Sequence, residues 1–263
     1  MGKDTRHDKR LLKKAFSRAA SHYDASAAFQ RDVGARLMEL LPQQQLAHST
    51  VLDLGCGTGF FSQQLALQSH CLMALDLSER MLEHAYQRCG DAVTYIVGDA
   101  EQLPLATNSV DFVFSSLALQ WCHDLSLPLK EIKRVLKPGG SAVFSTLLDG
   151  SLSELKQAWK TVDKHRHVNN FLTHEEVNKC CLSAGFNEAR VTQQAVTLGY
   201  ASGMALMKDL KGIGATHLTE GRANGLIGRA KFRQLEDAYA LFRQQDGLLP
   251  ATYQVGFGVV TNE

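Results

Sequence analysis

Residues 51–61 read VLDLGCGTGFF, and this stretch decides the fold class. Its apolar first residues are typical of a strand that is buried on both faces. The three glycines that follow, Gly55, Gly57 and Gly59, allow a tight turn and a close approach of the backbone to a ligand. The stretch therefore predicts a buried strand that runs into a ligand-binding loop and then into a helix.

The ligand of this loop differs from a dinucleotide. A dinucleotide fingerprint places its third glycine one residue later, and a phosphate-binding loop ends in Lys-Ser or Lys-Thr. Asp53 lies beside the glycines, where its carboxylate would repel a pyrophosphate but pair with a cationic ligand. The stretch resembles the first motif of the class I S-adenosylmethionine-dependent methyltransferases, whose cofactor carries an ammonium and a sulfonium.

The composition of the chain limits the classes of protein and partner that fit it. The chain has 263 residues, of which 44% are hydrophobic and 21% charged, as in ordinary globular proteins. The net charge of +1 gives no overall attraction to nucleic acid. Neither a signal-peptide core nor a membrane-spanning run is visible, and no two cysteines have Cys-x-x-Cys spacing. We expect a cytoplasmic protein with reduced thiols, without a metal, and with neither nucleic acid nor membrane as a partner.

Strand and helix patterns alternate from residue 51 to residue 147, which predicts a parallel sheet with helices on both faces. With the resemblance, this implies a Rossmann-like class I methyltransferase fold with a mostly parallel seven-stranded sheet. We divide the chain into an N-terminal helical lid (1–45) and a methyltransferase domain (46–263), which carries a helical substrate-cap insertion at about 199–247.

Several element boundaries can be tested. The pattern predicts one helix over 26–41, a turn at 136–140 before a strand at 141–147, and an irregular stretch beginning at Lys211. The apolar segment 252–261 is predicted to be an antiparallel edge strand.

Two further acids follow strands. Asp76 ends the second strand about twenty residues beyond the loop, where nucleotide-binding folds place an acid that accepts both ribose hydroxyls. Asp99 follows the third strand, and the resemblance implies that it accepts a hydrogen bond from the adenine amino group. A simple Gly-Asp turn is the other interpretation of Asp99. The resemblance also implies cofactor contacts at Gly55, Cys56, Gly57, Leu77, Met81, Ala100, Ser116 and Leu117.

The loop after the fourth strand, residues 116–123, should face the transferable methyl, because ligands bind beyond the carboxyl ends of parallel strands. Trp121 and His123 are therefore candidates for positioning the acceptor. They can also be read as a core residue and a helix-cap residue.

Four other stretches extend the resemblance over almost the whole chain: AFSRAASHY (15–23), LALQWC (117–122), GSLSEL (150–155) and LKGIGATH (210–217). Together they resemble the malonyl-acyl-carrier-protein O-methyltransferases of biotin synthesis. The resemblance implies methyl transfer from S-adenosylmethionine, giving S-adenosylhomocysteine, to the free carboxylate of a malonyl thioester on acyl carrier protein. Malonyl-coenzyme A stays open as a second acceptor. A carboxylic acid with a pKa near ~4 is already ionised at neutral pH, so no general base is required.

The group that holds the acceptor carboxylate is left open. Tyr23 lies in a family-like motif and is a modest hydrogen-bond donor. The other candidates by residue type are Arg18, His22, His123, Lys208, Lys211, His217 and Arg222. Residues 165–167, His-Arg-His, are interpreted as a solvated basic cluster. Two basic patches could dock an acidic carrier protein: Lys9, Lys13, Lys14 and Arg18, or Lys156, Lys160 and Arg166.

Two rival functions remain. A methyltransferase acting on a ring carbon of a quinone or sterol would need a base near Trp121 or His123. A cofactor-binding protein without turnover is the other rival, and the three acids at successive strand ends argue against it.

Overall fold

The computed structural model describes residues 5–215 and 228–263. The strands are β1 (Thr50–Leu54), β2 (Cys71–Asp76), β3 (Thr94–Val97), β4 (Val110–Ser116), β5 (Leu136–Leu147), β6 (Ala189–Tyr200) and β7 (Leu249–Thr261). They form one seven-stranded sheet in the order β3-β2-β1-β4-β5-β7-β6. Strands β1 to β5 pair in parallel, and β7 pairs antiparallel with both β5 and β6. The predicted mostly parallel seven-stranded sheet is confirmed.

The position of the last strand was predicted wrongly. β7 lies inside the sheet, and β6 forms the edge. β7 is buried along most of its length, whereas β6 exposes most of its residues, which suits an edge strand. Gly258 of β7 lies against the Phe144 ring, where an added Cβ would be 2.2 Å from the nearest ring atom. The glycines of β7 therefore serve close packing within the sheet.

Helices cover both faces of the sheet. They are α1 (Thr5–Ala19), α2 (Tyr23–Ser26), α3 (Ala28–Met38), α4 (Gln43–Leu46), α5 (Phe60–Ala66), α6 (Glu79–Cys89), α7 (Ser126–Val135), α8 (Ser153–Val162), α9 (His174–Ser183), α10 (Gly203–Gly212) and α11 (Arg229–Ala240). One core cluster packs α3, α5, α8 and α11 on the sheet, and the other packs α7 and α9. No helix in the described ranges is long and apolar enough to cross a membrane.

The helix predicted over 26–41 is shorter in the structure, where α3 spans Ala28–Met38. Ser26 belongs to α2, which Ala27 separates from α3 and which brings Asp24 to the glycine loop. There the Thr58 hydroxyl donates to Asp24 Oδ1 at 2.7 Å, and Arg88 pairs with the other oxygen. The break therefore serves contacts between α2 and the loop, which helical periodicity does not show.

The turn predicted at 136–140 lies within β5. Pairing with β4 jumps from Leu136 opposite Val110 to Ser141 opposite Phe112. The intervening residues, with Gly139 at φ +78°, form an irregularity inside one strand. The predicted boundary of the strand is therefore wrong, because β5 already begins at Leu136.

Helices α1, α2 and α10 meet over the carboxyl edge of the sheet. An added Cβ on Gly212 would be 2.3 Å from Ser26 Oγ, and one on Gly214 would be 3.1 Å from the Phe16 ring. α10 continues through Lys211 and Gly212, where an irregular stretch was predicted. The division into a lid (1–45) and a cap (199–247) stays a prediction, and α3 packs on β4 and β5 as part of the core.

Candidate active site

One cavity of about 180 Å³ opens at the carboxyl ends of the parallel strands. Its wall brings together most of the side chains and glycines that the sequence predicts for the site. They are Tyr23, Gly55, Gly57, Asp76, Leu77, Met81, Asp99, Ala100, Ser116, Leu117 and Trp121. Residues distant in the sequence thus meet where parallel α/β sheets bind ligands.

The three glycines of the loop have two different roles: close packing and access for a ligand. Gly55, Gly57 and Gly59 have φ values of +75°, +54° and +78°. An added Cβ on Gly55 would be 2.3 Å from Ala118 Cβ, and one on Gly59 would be 2.8 Å from Ala85 Cβ. At Gly57 no heavy atom lies within 4 Å of that position, and the residue lines the cavity. Gly57 is therefore the point where a ligand can approach the backbone.

Asp76 is held by backbone amides on the cavity wall. Gly57 N donates to its Oδ2 at 3.0 Å, and Ser78 N donates to its Oδ1 at 2.8 Å. Burial raises the pKa of Asp76 to about 6, against the lowering effect of these amides. The carboxylate is fixed in place and retains lone pairs for donors inside the cavity.

Asp53 lies behind the loop. It is buried and is absent from the described cavity wall, and the Ser62 hydroxyl donates to its Oδ2 at 2.6 Å. Burial raises its pKa to about 7. The side chain points to the start of α5, and its direct pairing with a cationic ligand stays a prediction.

Four other predicted site residues also lie off the described cavity wall. Arg18, His123 and Lys211 are exposed, and Cys56 is partly buried in the loop. His123 uses its backbone N–H to donate to Glu101 Oε1 at 2.6 Å. His217 lies outside the described residues, as does Arg222.

Asp99 is contacted by α1. Its Oδ1 accepts a hydrogen bond from Glu101 N at 3.0 Å, and the Lys9 ammonium contacts the carboxylates of both Asp99 and Glu101. Burial alone would lower the pKa of Lys9, but the two carboxylates raise it above its usual value. Lys9 was predicted only as part of a basic surface patch. Its place on the cavity wall follows from the packing of α1 across the strand ends.

The loop after β4 is held in a strained conformation. Leu117 has φ +49°, a left-handed value that is uncommon for a non-glycine residue. Its N–H donates to Ser145, to Oγ at 3.0 Å and to the carbonyl at 3.1 Å. Trp121 then packs edge-on against Phe16, with ring centroids 5.4 Å apart. These contacts hold the loop against the cavity.

Two glutamines carry unpaired oxygens at this cavity. Gln120 Nε2 donates to the Leu117 carbonyl at 2.8 Å, which fixes the orientation of the amide. Its Oε1, and that of Gln30, are buried and have no hydrogen-bond partner in the part of the chain that the structure describes. Both residues line the cavity. Unpaired buried acceptors fit a ligand that brings donors or positive charge, as the cofactor implied by the sequence does.

A second set of residues lines the same cavity, and we call their part of it the acceptor chamber. The chamber wall comes mainly from the second half of the chain, with Phe29 stacked on Tyr253 at a centroid distance of 4.2 Å. Its residues include Leu147, Leu152, His167, Val168, Phe171, Leu210, Ile213 and Ala215. Leu152, Leu210, Ile213 and Ala215 lie in the stretches GSLSEL and LKGIGATH that carry the resemblance, whereas the other residues belong to no motif.

His167 was predicted wrongly as part of a solvated cluster. Its ring stacks on Trp159, with centroids 3.6 Å apart and planes within 11°. Its Nε2 lies 2.9 Å from Asp163 Oδ1, and its side chain is only 11% exposed. The spacing of Trp159, Asp163 and His167 by four residues was the available signal, although α8 ends before His167.

This sheet, its glycine loop and the acid at the end of β2 define a class I S-adenosylmethionine-dependent methyltransferase. A family model described as a methyltransferase domain matches residues 52–144. The chain is 45% identical over 259 residues to the malonyl-[acyl-carrier protein] O-methyltransferase of Serratia marcescens, covering 97% of each. It belongs to the malonyl-[acyl-carrier protein] O-methyltransferase family.

Two other similarities bear on the assignment. Over 253 residues the chain is 41% identical to the biotin biosynthesis bifunctional protein BioHC of Cellvibrio japonicus, covering 96% of this chain and 50% of that protein. Among solved structures, a putative methyltransferase of Bacillus halodurans superposes with a TM-score of 0.61 at 19% identity. That superposition covers 87% of this chain and 98% of the other, and it supports the fold.

Within the described ranges, no group of three or more His, Cys, Asp or Glu side chains could hold a metal ion.

Proposed function

We propose that the protein transfers a methyl group from S-adenosylmethionine to the free carboxylate of a malonyl thioester on acyl carrier protein, for biotin synthesis. The observation that carries this proposal is the similarity to malonyl-[acyl-carrier protein] O-methyltransferases over almost the whole chain. It includes the second half, which lines the acceptor chamber. Malonyl-coenzyme A is a second acceptor to be tested, and the cytoplasmic location stays a prediction.

The cofactor residues are assigned from the cavity wall. Asp76 would accept the ribose hydroxyls, Asp99 would face the adenine, and Gly57 would lie beside the methionine portion. Gln30 and Gln120 would offer their unpaired oxygens to the positively charged end. When bound, the cofactor supplies an activated methyl group on a sulfonium.

The reaction needs positioning and exclusion of water. A malonyl carboxylate is ionised at neutral pH, so the protein need not remove a proton before attack. The apolar chamber wall excludes water and brings the acceptor oxygen beside the loop after β4. His123 is exposed and absent from the described cavity wall, which disfavours the rival reaction at a ring carbon with His123 as base.

Product analysis tests this function directly. The protein is incubated with methyl-labelled S-adenosylmethionine and malonyl-acyl carrier protein, with acetyl-acyl carrier protein as the control. We expect label in a base-labile methyl ester of the malonyl group and none in the acetyl control. Cofactor binding without label transfer to any malonyl thioester would support the binding-protein alternative instead.

Cofactor affinity should depend on pH through Asp76. Hydroxyl donors bind the ionised carboxylate, whose pKa is raised to about 6 by burial. Binding therefore expels a proton below that pH, and affinity should fall by up to about tenfold per pH unit as pH drops below about 6. Calorimetry with S-adenosylhomocysteine measures this. Asp76→Asn should remove this dependence of affinity on pH. Asp53→Asn should leave it in place, which separates Asp76 from the other buried acid, whose pKa is raised to about 7.

The Lys9 contact should slow release of the cofactor product. In Lys9→Met, α1 loses its ion pairs to Asp99 and Glu101. We expect dissociation of S-adenosylhomocysteine to become roughly 2- to 10-fold faster, the range for partly exposed ion pairs. Stopped-flow displacement measures the rate, with Lys14→Met on an exposed part of α1 as the matched control. Equal rates in both variants and the unmodified protein would contradict a role for the contact.

Docking of the acidic carrier protein should use the second basic patch. On α1, Lys9 and Lys13 are already paired with acids, whereas Lys160 is exposed on α8. Reversing charge in Lys156→Glu/Lys160→Glu should raise KM for malonyl-acyl carrier protein by about 3- to 10-fold and leave malonyl-coenzyme A unaffected. Lys14→Glu/Arg18→Glu is the comparison. A larger effect from that pair would assign docking to α1.

A further inference from the structure

The acceptor chamber contains one basic side chain that the reaction has not yet used. Among the described residues, Lys9 and His167 are the basic side chains on the cavity wall. Lys9 is bound to Asp99 and Glu101 at the predicted adenine end. His167 lies with Val168 and Phe171 in the chamber that receives the acceptor. His167 is therefore the basic side chain that the described chamber wall offers to a carboxylate.

The imidazole of His167 is held rigidly. One face stacks on the Trp159 ring, which is buried in the core. Its Nε2 is engaged by Asp163 Oδ1 at 2.9 Å. Stacking and this hydrogen bond together fix the ring plane, so the second nitrogen, Nδ1, has a defined direction. Such fixation lowers the entropic cost of using the ring to orient a substrate.

Asp163 is held as an anion by several donors. Its Oδ1 also accepts a hydrogen bond from His165 N at 2.9 Å, and Lys231 Nζ lies 3.0 Å from its Oδ2. Burial would raise the pKa of Asp163, but these partners hold it well below its usual value. Asp163 is thus a permanent anion between Lys231 and His167. Because Nε2 must donate to this carboxylate, a second donation from Nδ1 uses a ring with protons on both nitrogens.

We infer that His167 donates a hydrogen bond from Nδ1 to the malonyl carboxylate, and that it distinguishes a malonyl thioester from an uncharged acyl thioester. Asp163 and Lys231 act as positioning residues through the imidazole. The inference rests on the proposed function and names the residue that holds its acceptor. Among the basic candidates, Arg18, His123 and Lys211 fit less well, because they are exposed and off the described wall. Tyr23 lines the cavity and can donate a hydrogen bond, but it carries no positive charge.

A single donor suits this chemistry. The transfer forms a bond from a carboxylate oxygen to the methyl carbon and breaks the carbon–sulfur bond, whose electrons stay on sulfur. The carboxylate and sulfonium charges disappear together, and no proton moves. One oxygen can be held by His167 while the other attacks. A bidentate clamp such as arginine would engage both oxygens and weaken the nucleophile.

The test compares the binding of two acceptors in variants that distinguish the stacking of the His167 ring from the hydrogen bonds of its nitrogens. His167→Phe keeps an aromatic ring for Trp159 but removes both nitrogens, and His167→Gln restores a donor. His165→Gln is the matched control, because that side chain is exposed two residues earlier. Binding of malonyl- and acetyl-acyl carrier protein is measured on the enzyme with S-adenosylhomocysteine, beside KM and kcat.

We expect His167→Phe to raise the malonyl dissociation constant and KM by roughly 10- to 100-fold, as for loss of a charge-assisted hydrogen bond. His167→Gln should recover part of the loss, and S-adenosylhomocysteine affinity should stay within about twofold. Acetyl binding should be unchanged. Equal malonyl binding by His167→Phe and the unmodified protein would overturn the inference.

Nitrogen NMR of the unmodified protein provides a test that does not depend on the folding of a variant. Malonyl-acyl carrier protein should shift the Nδ1 resonance of His167, and acetyl-acyl carrier protein should not. Identical spectra with the two ligands would overturn the inference. If the unmodified protein methylates no malonyl thioester, the proposed function itself is contradicted. If His167→Phe forms the malonyl methyl ester as well as the unmodified protein does, the proposed function stands and only the role of His167 is contradicted.

Discussion

Asp76→Ala is expected to weaken S-adenosylhomocysteine binding by at least about 100-fold. The proposed ribose contacts are two hydrogen bonds to a charged acceptor, each worth about 1.5–3 kcal/mol, and tenfold in affinity corresponds to about 1.4 kcal/mol. The same carboxylate accepts bonds from Gly57 N and Ser78 N, so its loss also loosens the loop that lines the cavity. Calorimetry measures the affinity, and a thermal melt of each variant reports folding.

Asp91→Ala is the matched control for this substitution. Asp91 is an exposed acid just beyond α6, and its carboxylate accepts a hydrogen bond from Tyr86 at 3.2 Å. We expect this variant to bind the cofactor product normally. Asp76→Asn separates charge from shape, because it keeps an oxygen acceptor and a similar volume. Unchanged affinity in Asp76→Ala would overturn the placement of the ribose.

Much of the framework could be predicted from local patterns. The alternation of apolar strands and helices from residue 51 onward predicts the parallel sheet, because each strand must be covered on both faces. The acids at the ends of β2 and β3 were located by the same reasoning, and both line the cavity. These features depend on residues close together in the chain, for which spacing is informative.

The errors concern contacts between distant segments. β7 was placed at the edge because its apolar composition does not reveal that β6 adds outside it. Asp53 was predicted to face a cationic ligand because the glycine loop begins two residues later, whereas its hydrogen-bond partner Ser62 lies on α5. His167 was assigned to solvent because its neighbours are basic, although Trp159 and Asp163 bury it. In each case a tertiary partner decides the environment.

Substituting alanine at Gly55 and at Gly57 should give opposite combinations of effects. Both glycines have positive φ, which costs a non-glycine residue about 1–2 kcal/mol. At Gly55 the new Cβ would also be 2.3 Å from Ala118 Cβ, so overpacking adds about 1–3 kcal/mol. At Gly57 the space is open, and the methyl group would instead project into the ligand cavity.

We therefore expect Gly55→Ala to lose about 2–5 kcal/mol of stability, lowering the melting temperature of the cofactor-free protein by roughly 4–20 °C. Gly57→Ala should lose only the smaller strain energy but bind S-adenosylhomocysteine at least about tenfold more weakly, since the backbone can no longer approach the ligand. Adding Ala118→Gly to Gly55→Ala should recover the part of the loss that is due to the clash, although the new glycine has its own conformational cost. Equal stabilities and affinities in the two alanine variants would show that the loop does not divide packing from ligand access, and the proposed position of the methionine portion beside Gly57 would then have to be abandoned.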